Sequence, residues 1–225
     1  RGGARTDELG TEECFRVIDQ IAEVNPNAFL ILTGGEPLLR PDIYEIVRYA
    51  ADKKFMVVLG TNGTMINHTV AKKIKAAGAH GVGISIDSMD AIKHNKFRGV
   101  DQAWENSTKA FETLNEVGVD FLIQMSVSEM NYTEIPDVVA YAESIGAIAF
   151  NLYFLVCTGR GQGNTDISNA AYEEALKTLY KLQMEYKGRL MINSKCAPQY
   201  KRVVYENDPE SVYQRTYSGG CPAGT

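Results

Sequence analysis

The chain of 225 residues carries 23 basic and 28 acidic side chains, a net charge of −5 and 44% hydrophobic residues, the profile of an ordinary globular protein. With no basic excess, nucleic acid is not an expected partner, and no apolar run approaches the roughly 18–20 residues that cross a bilayer. Four cysteines, Cys14, Cys157, Cys196 and Cys221, are too scattered for a secreted disulfide framework and point to a reducing, cytoplasmic setting.

Helix and strand patterns then alternate along the chain. Cys14, Val17, Ile18, Ile21 and Ala22 fall at helical spacing and predict a helix over 11–24. A buried strand over 28–33 follows, then Asp42 stands where it can cap a helix running to about Lys53. "FMVVLG" reads as a strand ending at Gly60, Asn67 caps "HTVAKKIKAAG", and "GVGISID" reads as another buried strand. A helix over 101–117, the strand "DFLIQMSV", a helix over 133–145, the strand "AIAFNLYFLV" and a helix over 168–186 complete the series. This is a βα repeat, whose strands run parallel with catalytic groups at their C-terminal ends. Five strands are visible. The leading helix implies one more upstream, giving a six-stranded partial barrel or an open doubly wound sheet. After Tyr186 the pattern changes to "RLMIN", Cys196 and a polar, tyrosine-rich stretch, so a barrel over 1–187 and the entry to a separate module over 188–225 are expected. The opening "RGGARTDELG" and the closing "CPAGT" read as cut ends of a longer protein.

The strand ends carry polar, glycine-rich loops: Thr33 to Pro37, Gly60 to Gly63, Ser85 to Ser88, Gln124 to Ser128 and Val156 to Gly161. Any one of these fits an ordinary turn; all of them together fit a pocket in which glycines let a ligand approach the backbone. In "FLILTGGEPLLRP", Gly34 and Gly35 permit close approach and unusual dihedrals, while Glu36 places a carboxylate where it can receive an ammonium group.

That segment resembles the GGEP motif of radical S-adenosylmethionine (SAM) enzymes, and the order of elements is similar to that superfamily's partial (β/α)6 TIM-like barrel, over about 11–224. The resemblance implies that Gly34, Gly35, Glu36 and Pro37 hold the methionine end of SAM. "SIDSMDAIKHNKFRG" resembles the segment whose polar residues contact the ribose, so Ser85, Asp87 and Arg98 take that role by resemblance, joined by Asn62 and Gln124. Asp87 can equally cap the next segment, and Arg98 can form a surface ion pair. The family's cluster-binding C-x-x-x-C-x-x-C loop is not among these residues. Cys14, alone on an apolar helix face, does not replace it, so the motif and the first strand are expected upstream and this segment alone is expected to be unable to cleave SAM.

"GGCPAGT" resembles the start of the auxiliary iron–sulfur module called SPASM or twitch, which implies Cys221 as a cluster ligand and Cys196 as a second. "NLYFLVCTGRGQGN" and "CAPQYKRV" resemble the branch that trims haem side chains in the alternative haem and haem d1 routes, and its relatives that mature tungsten oxidoreductases. In that setting Arg160 meets an anionic substrate group or is simply a loop arginine, and Cys157 is read as a packed strand-end thiol. Trp104 is read as packing, and His68, His80 and His94 receive no role. The resemblance implies SAM, a 4Fe–4S cluster and an auxiliary cluster as cofactors. It also implies a ferredoxin- or flavodoxin-like electron donor, an anaerobic setting, and hydrogen abstraction followed by loss of carbon dioxide from a propionate. Modification of a precursor peptide is the alternative within the superfamily. A βα-barrel lyase or a non-catalytic SAM-binding scaffold without a cluster is the alternative outside it.

Overall fold

The computed structural model describes residues 8–154 and 167–213. The elements alternate in the expected order: α1 (Thr11–Val24), β1 (Phe29–Leu32), α2 (Ile43–Asp52), β2 (Met56–Thr61), α3 (His68–Ala76) and β3 (Gly81–Ser85). They continue with α4 (Ala91–Arg98), α5 (Ala103–Val117), β4 (Phe121–Val127), α6 (Ile135–Ser144), β5 (Ala149–Phe154), α7 (Asn169–Glu185), β6 (Met191–Lys195) and α8 (Tyr200–Asn207). The strands succeed one another in the sheet in chain order, the topology of an α/β partial barrel. Two compact units divide the chain: Arg1–Ile84 with Glu105–Phe121, and Ser85–Trp104 with Leu122–Thr225.

In the first unit β1 and β2 pair in parallel with Phe29 opposite Met56, and β2 and β3 pair with Val58 opposite Gly81. Val57, Leu59, Val82 and Ile84 are fully buried, as the run of apolar residues in a covered parallel strand predicts. β1 differs from its expected burial: Phe29 is 52% and Ile31 48% exposed, because β1 ends the strand order and pairs with β2 alone. The apolar stripe expected on α1 is likewise only partly covered, with Ile18 buried and Val17 exposed. Cys14 is half-buried rather than a core residue.

Capping explains the helix boundaries. The Asn67 side chain accepts from the Val70 amide at 3.0 Å and starts α3 as expected. Asp42 occupies the N-cap position of α2 but makes no capping bond, because its carboxylate takes the Thr11 hydroxyl at 2.6 Å and the Arg40 guanidinium at 2.8 Å instead. The α1–α2 pair is thereby tied by side chains at both ends, with Tyr49 Oη donating to Asp19 at 2.9 Å.

In the second unit β4 and β5 pair with Gln124 opposite Asn151, and β5 and β6 pair with Asn151 opposite Asn193. The segment "RLMIN", read from sequence as leaving the barrel, thus supplies a parallel strand of the same sheet. The ribose-like segment folds as a separate helix, α4, that the sequence pattern did not single out. Its start is capped by Asp90, whose carboxylate accepts from Ile92 and Lys93, and it ends on Gly99 in the left-handed region at φ 57°. α7 is capped by Ser168, whose own amide donates to Glu129 at 2.8 Å.

Candidate functional site

In the first unit the loops after β1 and β2 are fastened together by Glu36. Its Oε1 accepts from the Thr61 hydroxyl at 2.6 Å and from the Leu38 amide at 3.1 Å, and its Oε2 accepts from the Asn62 amide at 2.8 Å. A carboxylate has about four acceptor sites, so among the described residues these bonds leave one, on Oε2. Pro37, buried, opens the 3-10 turn Pro37–Leu39 that Glu36 caps. Thr61 extends the network by accepting from the Gly63 amide at 3.1 Å.

Gly34 and Gly35 are exposed, and a Cβ built at either meets nothing within 4 Å. Neither has a positive φ, which corrects the expectation of unusual dihedrals. Their lack of side chains is therefore not required by packing or backbone among the described residues; it leaves a bare, open backbone beside the free acceptor of Glu36. An ammonium group fits this donor-seeking corner, and the methionine end of SAM carries one. Asn62 is brought to the same place, but its Oδ1 accepts from the Thr64 amide at 2.9 Å and the Thr64 hydroxyl at 2.7 Å, leaving only its amide nitrogen for a ligand.

The second unit builds a buried polar cluster at the end of β3. Asp87 is fully buried; its Oδ1 accepts from the Ser126 amide at 2.9 Å and its Oδ2 lies 2.5 Å from Arg98 Nε. Burial holds the Asp87 carboxyl above its ordinary value, against the opposing pull of Arg98 and the Ser126 amide. Of the two sequence readings, Asp87 is no cap: that role belongs to Asp90. Arg98 is paired as the alternative reading allowed, though to a buried acid, and its side chain is 26% exposed. His94, given no role from sequence, is buried at 1% exposure and its Nδ1 accepts from the Asp87 amide at 3.2 Å. Trp104 packs edge-on against that imidazole at 5.9 Å and against Tyr141 at 6.0 Å, consistent with its packing assignment.

A second layer braces this cluster. The buried Asn131 donates through Nδ2 to the carbonyls of Asp87 at 2.7 Å and Ser126 at 2.9 Å. Glu134 accepts from the Ser88 hydroxyl at 2.6 Å, the Met89 amide at 2.9 Å and Lys93 at 2.9 Å. Burial opposes ionisation of Glu134, but the bonds from Ser88, Lys93 and Met89 together hold its carboxyl below the ordinary value. Asn131 and Glu134 were missed from sequence because neither belongs to a motif; the only trace was the polar stretch after β4.

Ser85 ends β3 half-buried, and Gln124, on β4, donates from Nε2 to Tyr153 Oη at 3.4 Å. Cys196, half-buried, follows β6 in the left-handed region at φ 58° and forms no disulfide among the described residues. Among the described residues no three His, Cys, Asp or Glu side chains converge as a metal site. Cys157, Arg160 and Cys221 lie outside the described residues.

With these geometries in place, the class is settled by similarity: residues 1–142 match the Radical SAM superfamily, and the chain belongs to it. More particularly, it is 38% identical over 97% of its length to the AdoMet-dependent heme synthase of Methanosarcina barkeri, and 32% identical over 79% to the pre-heme d1 synthase of Dinoroseobacter shibae. It spans 64% of the first relative's length and 44% of the second's. The fold is that of Streptococcus suis SuiB, solved with its precursor peptide SuiA, at a TM-score of 0.75 and 16% identity, covering 89% of this chain and 45% of that one.

Proposed function

We propose that this protein is a radical SAM enzyme that modifies the side chains of a tetrapyrrole in haem or haem d1 formation. The observation that carries the reading is the similarity to the AdoMet-dependent heme synthase, which runs at 38% identity through 97% of the chain. When bound, SAM together with a reduced 4Fe–4S cluster supplies a 5′-deoxyadenosyl radical for hydrogen abstraction.

The chain's own part is positioning. Gly34 and Gly35 leave room for the methionine end of SAM, and the remaining acceptor on Glu36 receives its ammonium group, with Pro37 fixing the turn and Asn62 offering its amide nitrogen. Because Glu36 is already held by Thr61, Asn62 and Leu38, little reorganisation accompanies binding. Ser85, Arg98 and Gln124 are proposed ligand contacts, with Asp87 acting through Arg98, since the Asp87 carboxylate is itself fully buried. Cys221 and Cys196 are proposed ligands of an auxiliary cluster and Arg160 a proposed substrate contact, while the triplet for the SAM-cleaving cluster is not among the 225 residues. A cytoplasmic setting and a ferredoxin- or flavodoxin-like electron donor belong to the proposal; no described helix is long and apolar enough to cross a membrane.

A precursor peptide is the second substrate reading; its support is the peptide-bound SuiB neighbour, which at 16% identity carries the fold alone. The test is anaerobic reconstitution of the holoenzyme with iron and sulfide, then SAM, a reductant and an iron porphyrin bearing propionates. Deoxyadenosine formed together with carbon dioxide supports the tetrapyrrole reading. Deoxyadenosine that rises only with a peptide moves the substrate to the second reading, and none at all overturns radical SAM chemistry.

A further inference from the structure

Parallel strands are normally apolar on both faces, because helices cover them. In the second unit one face obeys this: Ile123, Phe150 and Ile192 stand in register and are buried, as are Met125 and Leu152 in the next row. The opposite face does not. There Gln124, Asn151 and Asn193 form one row across β4, β5 and β6, and Ser126, Tyr153 and Lys195 form the next. Polar residues in successive register positions on three strands are not needed to close this sheet.

The bonding among them uses acceptors and leaves donors available. Asn193 Nδ2 donates to Asn151 Oδ1 at 3.0 Å, and Gln124 Nε2 donates to Tyr153 Oη at 3.4 Å. Tyr153 therefore accepts through its oxygen and keeps its own proton free to donate. Asn151 likewise keeps its amide nitrogen. Lys195 is half-buried, is the one charged side chain of these rows, and has no acidic partner among the described residues. The patch offers the Tyr153 hydroxyl, the Asn151 amide and the Lys195 ammonium as donors, and Lys195 brings a positive charge that has no acidic partner among the described residues; together these complement a carboxylate.

We propose that Lys195, with Tyr153 and Asn151, forms a subsite that receives a carboxylate of the substrate, Gln124 and Asn193 acting as positioning residues for the Tyr153 hydroxyl and the Asn151 amide. This assignment rests on the tetrapyrrole reading, in which that carboxylate is a propionate. It deepens the reading by naming residues that no sequence motif marks.

The experiment is an absorbance titration of the holoenzyme with iron coproporphyrin III, whose free side-chain acids are all propionates, and with its tetramethyl ester. Lys195→Met is expected to weaken binding of the acid about tenfold. It leaves binding of the ester, which lacks the charge, unchanged. Tyr153→Phe is expected to weaken the acid severalfold, and Lys195→Arg to retain most of the affinity, which separates loss of charge from loss of folding. Equal weakening of acid and ester, or unchanged binding of the acid by Lys195→Met, overturns the subsite while leaving the tetrapyrrole reading intact. If the unaltered enzyme binds neither porphyrin, the tetrapyrrole reading falls and the subsite with it.

Discussion

Replacing Asp87 with Asn removes one partner of a buried ion pair and leaves the shape almost unchanged. The Ser126 amide can still donate to the Asn oxygen, but the new amide group then meets Arg98 Nε, donor against donor, where an acceptor lay at 2.5 Å. Breaking a fully buried pair typically costs about 3–5 kcal/mol. The Arg98 side chain, 26% exposed, can swing part of its guanidinium into water, so a loss of about 2–3 kcal/mol is expected. Chemical denaturation at neutral pH reads this directly, and Arg98→Met with the double variant measures the coupling. The pH dependence has a definite sign. Because burial raises the folded-state carboxyl above its ordinary 3.8, its contribution is fully present below that value and is lost as pH rises through the folded-state value. Asp87→Asn therefore removes a fall in stability above pH 3.8, flattening the curve there. Stability within about 0.5 kcal/mol of the parent, with an unchanged pH profile, would refute the view that this pair organises the end of β3.

Glu134 behaves in the opposite direction: its carboxyl is held below 4.5, so its contribution is present above that value and is lost as pH falls through the folded-state value, and Glu134→Gln is expected to reduce acid sensitivity in unfolding experiments. Gly34→Ala and Gly35→Ala are expected to leave the unfolding midpoint unchanged, since the added Cβ meets nothing within 4 Å, yet to weaken SAM binding in calorimetry. Gly63→Ala, by contrast, forces a side chain onto φ +79° with Ile84 Cγ2 3.0 Å away, and is expected to lose about 1–3 kcal/mol of stability in the same unfolding measurement. Glu36→Gln keeps one acceptor and loses the charge; SAM binding about tenfold weaker is expected by calorimetry, and unchanged binding would remove Glu36 from the site.

Much of this fold could be read from periodicity, because covered parallel strands and amphipathic helices obey different spacings. The helix over 11–24 was located to the residue, and the Asn67 cap was visible as a side chain of the right type before an apolar run. β6 was not, since Met191 to Lys195 reads as two apolar residues followed by three polar ones, with no strand period, and lies outside the visible βα rhythm. Asp42 and Asp90 show why capping could be misassigned: both precede a helix, but Arg40 and Thr11 compete for the Asp42 carboxylate, whereas that of Asp90 accepts the Ile92 and Lys93 amides. The glycine pair and Glu36 were legible as a motif. Their internal bonding was not, because Thr61 and Asn62 lie 25 and 26 residues further along the chain.

The two polar clusters share one physical arrangement, and it bears on how a loop-built site stays in place. In each unit a carboxylate at a strand end binds backbone of the next strand: Glu36 takes the Asn62 amide after β2, and Asp87 takes the Ser126 amide on β4. An amide donor of this kind cannot rotate away, so each carboxylate is fixed to the sheet rather than to a mobile side chain. What differs is the remaining acceptor capacity. Glu36, half-buried, keeps one site open beside two bare glycines, whereas Asp87, fully buried, gives its second oxygen to Arg98. The same construction thus leaves a carboxylate with an open acceptor in one unit and a carboxylate that aims an arginine in the other.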